Sequence, residues 1–140
     1  MRFVGLDYGH KRIGIAVSDS QGRIALPVQS FVRSKDQKGD IRKLASLIKE
    51  YEPAKIIAGN PVGLSGIAGA STQAVQQFLS ELSREVEVEI MLHDERFSTA
   101  EASRRLREAN MSTKAQRSVI DASAAAVILQ SWLDGRLDKP

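Results

Sequence analysis

Three acidic residues stand where carboxylates can do chemistry. Asp7 ends the short apolar run Arg2-Phe3-Val4-Gly5-Leu6-Asp7-Tyr8-Gly9, beside a glycine. Glu95 follows His93-Asp94 at the end of a later apolar alternation, and Asp121 stands near the start of the last amphipathic segment. An ionised Asp at the end of a core strand needs a partner, because desolvating a lone charge is costly. That partner is an arginine, a set of backbone N–H groups or a divalent metal. Three carboxylates on three separate elements suggest a Mg²⁺ or Mn²⁺ site for phosphodiester hydrolysis, since such ions take hard oxygen ligands and keep water.

Basic residues lie near these acids in the sequence. Lys11 and Arg12 follow the Asp7 turn closely and can hold a phosphate. Arg96 adjoins Glu95 and can grip a phosphate with two parallel bonds. Lys114 and Arg117 precede Asp121 in what reads as a polar loop, a candidate substrate clamp. Arg104, Arg105 and Arg107 read as a solvated helix face, with an RNA backbone track as the alternative. Asp19 reads as a turn residue, Asp94 as structural or as a support for the neighbouring metal ligands, and His93 as a core or hydrogen-bonding residue at a strand end. Trp132 reads as a core or dimer contact. The stretch Gly59 to Gly69 is glycine-rich but lacks the Lys-Ser/Thr of a phosphate-binding P-loop. No Gly-x-Ser-x-Gly nucleophile motif occurs.

The elements that must position these residues follow from periodicity. Ile13, Ile15 and Val17 alternate with smaller residues, the pattern of a strand. Asp19-Ser20-Gln21-Gly22 is a turn, and Arg23 to Val32 continues extended, with Pro27 favouring a sheet edge. Ser34 to Asp40 reads as a polar, mobile loop. Ile41, Leu44, Ala45, Leu47, Ile48 and Tyr51 fall at helical spacing before Pro53, and Ala54 to Gly59 reads as a buried strand. Asn60 to Ala70 reads as a loop, with Ser71 or Thr72 capping a helix that carries Val75, Phe78, Leu79 and Leu82. Val86, Val88, Ile90 and Leu92 alternate as a further strand. Ser98 with Glu101 forms a capping box for a helix ending at Asn110. Met111 to Arg117 reads as a connection, and Asp121, Ala124, Ala125, Ile128, Leu129 and Trp132 line one face of the last helix.

The order β-β-β-α-β-α-β-α-α predicts a mixed α/β sheet with helices on both faces and the first strand central. At 140 residues with 42% hydrophobic content, a single domain over residues 1–140 is expected. The absence of cysteine excludes disulfides, Cys-zinc sites and thiol nucleophiles. It fits a reducing cytoplasm, as does the lack of a signal-peptide pattern. No apolar stretch approaches the roughly 20 residues of a membrane span. The net charge of +3 permits a nucleic-acid partner without requiring one.

Four blocks in order carry a family resemblance. They are Gly5-Leu6-Asp7-Tyr8-Gly9 with Lys11 to Asp19; Gly59-Asn60-Pro61 with Gly66; Asp94 to Ala102; and Asp121-Ala122-Ser123-Ala124-Ala125 with Ile128-Leu129-Gln130. Together they span nearly the whole chain, which resembles the YqgF/RuvX proteins. Phe97 stands where that family more often has leucine, and Ser98 where it has threonine. The resemblance implies an RNase H-like three-layer fold: a five-stranded mixed sheet, its first three strands antiparallel and the rest parallel. It also implies a catalytic, metal-binding set of Asp7, Glu95 and Asp121, and nuclease action in 5′-end maturation of precursor 16S ribosomal RNA. One departure matters: the wider resolvase group has a glutamate after the fourth strand, and here that strand runs into Gly59-Asn60-Pro61. The second carboxylate must then come from Glu95, or the site is incomplete. Two rival functions remain open. One is a branched-DNA or Holliday-junction resolvase, which calls for a homodimer. The other is a catalytically idle RNA-binding protein.

Overall fold

A computed structural model describes residues 1–60, 70–94 and 114–137. The chain runs through β1 (Phe3–Tyr8), β2 (Arg12–Ser18), β3 (Ala25–Val32), α1 (Gln37–Lys49), β4 (Lys55–Asn60), α2 (Ala70–Val86), β5 (Ile90–Asp94) and α3 (Lys114–Leu137). The strands form one sheet in the order β3-β2-β1-β4-β5. The pairs β1/β2 and β2/β3 are antiparallel, while β1/β4 and β4/β5 are parallel. Short connections suffice for the antiparallel part. Each parallel pairing needs a crossover, and α1 and α2 supply them. The first strand is therefore central, as its lack of polar alternation implies.

Two cores form on opposite faces. One gathers Val4, Leu6, Ile13, Ile15, Ile56 and Ala58 of the sheet under Leu44 and Ile48 of α1 and Phe78 and Leu82 of α2. The other gathers Phe3, Ala16 and Ile57 under Ala124, Ala125, Ile128, Leu129 and Leu133 of α3. Alternation along β1 assigns Phe3, Gly5 and Asp7 to the α3 side. Ile128 and Leu129 are fully buried, which stabilises the α3 contact by about 2 kcal/mol each.

α3 sits unusually close to the sheet. A Cβ added at Gly5 would lie 2.7 Å from Leu129 Cβ and 2.9 Å from the Ala125 carbonyl oxygen. A Cβ at Gly14 would overlap the Asp121 carbonyl oxygen outright. Glycine is required at both because helix backbone rests on strand backbone. Gln130 pins the same helix to the edge strand: its Oε1 accepts from Ala25 N at 2.9 Å, and its Nε2 donates to Arg23 O at 2.9 Å.

Pro27 does lie on an edge strand, opposite Ala16, where the register shifts. Asp19 is the expected turn residue. Its Oδ1 accepts from Arg23 N at 2.7 Å and Ile24 N at 3.1 Å. The Ile24 and Arg23 N–H donors hold its carboxyl below the usual value.

Several boundaries differ from expectation. Ser34 to Asp40 is not a loop throughout, because α1 begins at Gln37. Asp36 caps it by accepting from Gly39 N at 3.1 Å, and buried Asp40 accepts from Ser34 N and Ser34 Oγ, each at 2.8 Å. Polar caps disguised a helix start. Ser71 and Thr72 lie inside α2, which starts at Ala70. Val86 closes α2 instead of opening β5. It fits both periods, and packing beside Leu82 in the core chose the helical one. Lys114 and Arg117 belong to the first turns of α3, not to a loop. The helix expected from Ser98 to Asn110, and most of the glycine loop, lie outside the described residues.

The tight contact makes a prediction. Gly14→Ala should destabilise the protein by about 3 kcal/mol or more, because α3 must lift off the sheet. Gly135→Ala, with nothing within 4 Å of the added carbon, should be neutral or stabilise by up to about 1 kcal/mol. Urea unfolding of both variants measures this, and equal midpoints would show that α3 can shift freely.

Candidate active site

The close α3 contact brings two of the three expected acids together. Asp7 is 2% exposed and pairs across the sheet with Gly14. Gly14 in turn abuts the main chain of Asp121, itself 7% exposed. Two buried acidic residues therefore meet at one glycine, on the α3 side of the sheet. Asp121 lies roughly two turns into α3, not in its first turn, so its setting owes little to the helix terminus.

Arg12 is the third described member. It stands two residues before Gly14, and its Nε donates to Asp121 Oδ2 at 2.5 Å. Its sequence reading as a phosphate ligand thus meets an intramolecular carboxylate first. Lys11 beside it is exposed. The carboxyl ends of β1, β4 and β5 share one edge, where Asn60 pairs with Asp94 at the last rung. Glu95 and Arg96 follow Asp94 in sequence and lie outside the described residues. So do the side chains of Lys114 and Arg117. Among the described residues no three His, Cys, Asp or Glu side chains group so as to hold a metal. The oxygen donors of Asp7 and Asp121 suit Mg²⁺ or Mn²⁺ better than softer ions.

His93 is a hydrogen-bonding residue: its Nε2 lies 2.9 Å from Ser131 Oγ on α3. Trp132 meets Phe3 edge-on at 5.0 Å, and the Arg136 guanidinium covers Phe3 at 4.7 Å. These aromatics border a cleft of about 540 Å³ lined also by Lys55, Met91 and His93. Neither Asp7 nor Asp121 lines it.

Arg33 is the residue that sequence reasoning missed. Its Nη1 donates to Gly9 O at 3.0 Å and His10 O at 2.9 Å, and its backbone N donates to Lys11 O at 2.9 Å. Its guanidinium lies 4.6 Å from the Tyr8 ring centre and 5.7 Å from that of Phe78. One side chain thus ties down the whole turn between Asp7 and Arg12. Only the β2/β3 register reveals it, because Val32 pairs with Arg12 and sets Arg33 beside the turn.

Arg33→Met should leave two turn carbonyls without their donor. We expect a loss of about 2 kcal/mol and faster amide exchange at Gly9 to Lys11 than elsewhere in β1 and β2. Hydrogen exchange measured residue by residue tests this, and uniform exchange across the sheet would remove Arg33 from the turn's support.

Comparison with known proteins agrees with this geometry. Residues 1–135 match the RuvX family, described as Holliday junction resolvase. A protein of Anaeromyxobacter sp. (strain Fw109-5) is 44% identical over 136 residues, covering 97% of this chain and 98% of its own. One of Thermoanaerobacter pseudethanolicus is 41% identical over 140 residues, covering 99% and 100%. Both carry the provisional name pre-16S rRNA nuclease. Among solved structures, RuvC of T. thermophilus in complex with a Holliday junction substrate superposes with a TM-score of 0.62 at 14% identity, covering 99% of this chain and 96% of that one. At that identity the likeness speaks for the fold alone. With buried acids on β1 and α3 of a β3-β2-β1-β4-β5 sheet, and with matches of this length, the chain belongs to the RuvX family and has the RuvC-like, RNase H-like fold.

Proposed function

We propose that this protein is a divalent-metal-dependent nuclease that hydrolyses phosphodiester bonds in precursor 16S rRNA during ribosome maturation in the cytoplasm. The names of relatives at 41–44% identity over nearly the whole chain support the substrate class. The carrying observation is the pair of buried carboxylates, Asp7 and Asp121, flanking Gly14. Burying acids is costly for stability alone. A site that takes up cations gives the arrangement a purpose.

Asp7, Glu95 and Asp121 would supply the metal-binding oxygens. Mg²⁺ or Mn²⁺ bound there would offset charge on the reacting phosphate and provide an activated water. The chain's own task is to hold the acids fixed: Asp7 by strand pairing, Asp121 by the α3 contact with Gly14. Lys11, Arg12, Arg96, Lys114 and Arg117 are the candidate phosphate contacts. The missing acid after β4 gives Glu95 the role of second carboxylate. A branched-DNA resolvase is the second reading, favoured by the family's description. It requires two such sites facing one junction, hence a homodimer.

A cleavage panel separates the readings. Precursor 16S RNA and a four-way DNA junction are incubated with the full chain and Mg²⁺ or Mn²⁺. Metal-dependent cleavage of the RNA is expected, with a loss of roughly a thousandfold in Asp7→Asn and Asp121→Asn. The Asp7→Asn protein should keep or raise its metal-free melting temperature, because clustered carboxylates repel one another. Preference for the junction, with a dimer in sedimentation, would establish the resolvase. Binding of RNA without cleavage would establish a passive RNA-binding protein.

Arg96→Ala should lower kcat/KM on one RNA more than Arg104→Ala does. Loss of a contact beside the reacting phosphate costs about 2 kcal/mol in transition-state stabilisation, whereas a remote backbone contact costs less and fades with salt. Equal losses with equal salt dependence would reduce Arg96 to part of a diffuse basic surface.

A further inference from the structure

The Arg12–Asp121 ion pair joins residues 109 apart in sequence, across the contact of β2 with α3. It is poorly solvated, with side-chain exposures of 17% for Arg12 and 9% for Asp121. A guanidinium in this setting is permanently charged. Arg12 is held by its pairing opposite Val32, and Gly14, two residues on, is seated against Asp121's own main chain. The pair is thus part of the docked helix, not a chance surface contact.

Its electrostatic consequence follows from the neighbouring acid. Asp7 is buried one strand away, opposite Gly14. Two ionised carboxylates in that space repel unless a cation lies between or beside them. In the metal-free protein Arg12 supplies a cation at Asp121. It does so by occupying Oδ2, one of only two oxygens that Asp121 can offer to a metal. A guanidinium and a divalent ion at the same oxygen compete for it through their like charge.

We propose that Arg12 is a built-in counter-cation for Asp121, which orders the metal-free site and must give up Oδ2 before a divalent ion can bind there. Arg12 thereby sets the metal affinity of the site. The inference rests on the metal-dependent reading of Asp7 and Asp121. It makes Arg12 a positioning residue that acts through Asp121. Its partial exposure lets the released guanidinium turn outward while β2 stays in place. The site is then stable when empty and weakened in its hold on metal.

Calorimetric titration of the full chain with Mn²⁺, without nucleic acid, tests this. Arg12→Met should bind Mn²⁺ about tenfold more tightly than the parent protein, since the competing charge is gone. In EDTA it should melt lower than the parent, and Mn²⁺ should restore the difference. Arg12→Lys keeps the charge and should bind near the parent affinity. Arg12→Gln replaces Arg12→Met if the latter does not fold, with the same tightening expected. Asp121→Asn should lose the site. Equal or weaker Mn²⁺ binding in the neutral variants, with binding still abolished by Asp121→Asn, would overturn the role of Arg12 and leave the metal site standing. Tightening in Arg12→Lys equal to that in Arg12→Met would overturn it too, by showing that shape and not charge is responsible. Binding that is indifferent to Asp121→Asn would overturn the metal reading itself, and this inference with it.

Discussion

Backbone contact between α3 and the central strands is the constraint on which the remainder depends. Gly5 and Gly14 present no side chain to the helix, and Ala125, Leu129 and Asp121 fill the space a Cβ would take. Ordinary side chains at these positions would hold helix and sheet farther apart. At that distance Asp121 would no longer rest on Gly14, the residue paired with Asp7. The α3 core is rich in alanine as well: Ala124 and Ala125 pack in one cluster with Ala16, Ile57, Ile128, Leu129 and Leu133. Packing and chemistry are thus set by the same contact.

Charge is handled by the same economy of parts. Asp7 and Asp121 are buried, which ordinary stability does not favour. The protein answers with Arg12, drawn from β2, the strand that pairs with Asp7's own and carries Gly14. A second arginine, Arg33, supports the turn that joins Asp7 to Arg12, through two carbonyls and the Tyr8 ring. The two arginines differ in kind. Arg33 bonds neutral carbonyls and stacks on aromatic rings, so it is structural. Arg12 bonds a carboxylate of the proposed metal site, so in that reading its bond is one that metal binding must break.

The opposite face of the sheet has a simpler task. α1 and α2 are the crossovers that make β1, β4 and β5 parallel, and their large aliphatic residues with Phe78 supply most of the bulk. Parallel pairing sends the carboxyl ends of these three strands to one edge. That is where Asp7, Asn60 and Asp94 stand. One apolar layer therefore fixes the direction of the strands, and the other fixes the distance between acids.

Much of this was legible in the residues themselves. Alternation and helical spacing determined the order of the described strands and helices, and Asp7 at the end of the first strand marked the candidate site. The RuvX motifs supplied the RNase H-like fold, which local periodicity alone does not. Residues with two local options were left to the tertiary structure. Val86 fits a strand or a helix and became helical because Leu82 and its neighbours made a core for it. The Ser34-to-Asp40 segment looked like loop because its caps are polar, and only hydrogen-bond geometry distinguishes a capping aspartate from a solvated one. Arg12 read as a candidate phosphate contact, and nothing in its local sequence marks Arg33. Their roles depend on cross-strand register and on a helix distant in sequence, and neither relation is a property of the local chain. The sequence determined which charges exist and on which elements they lie; the packing of α3 on two glycines decided which of them meet.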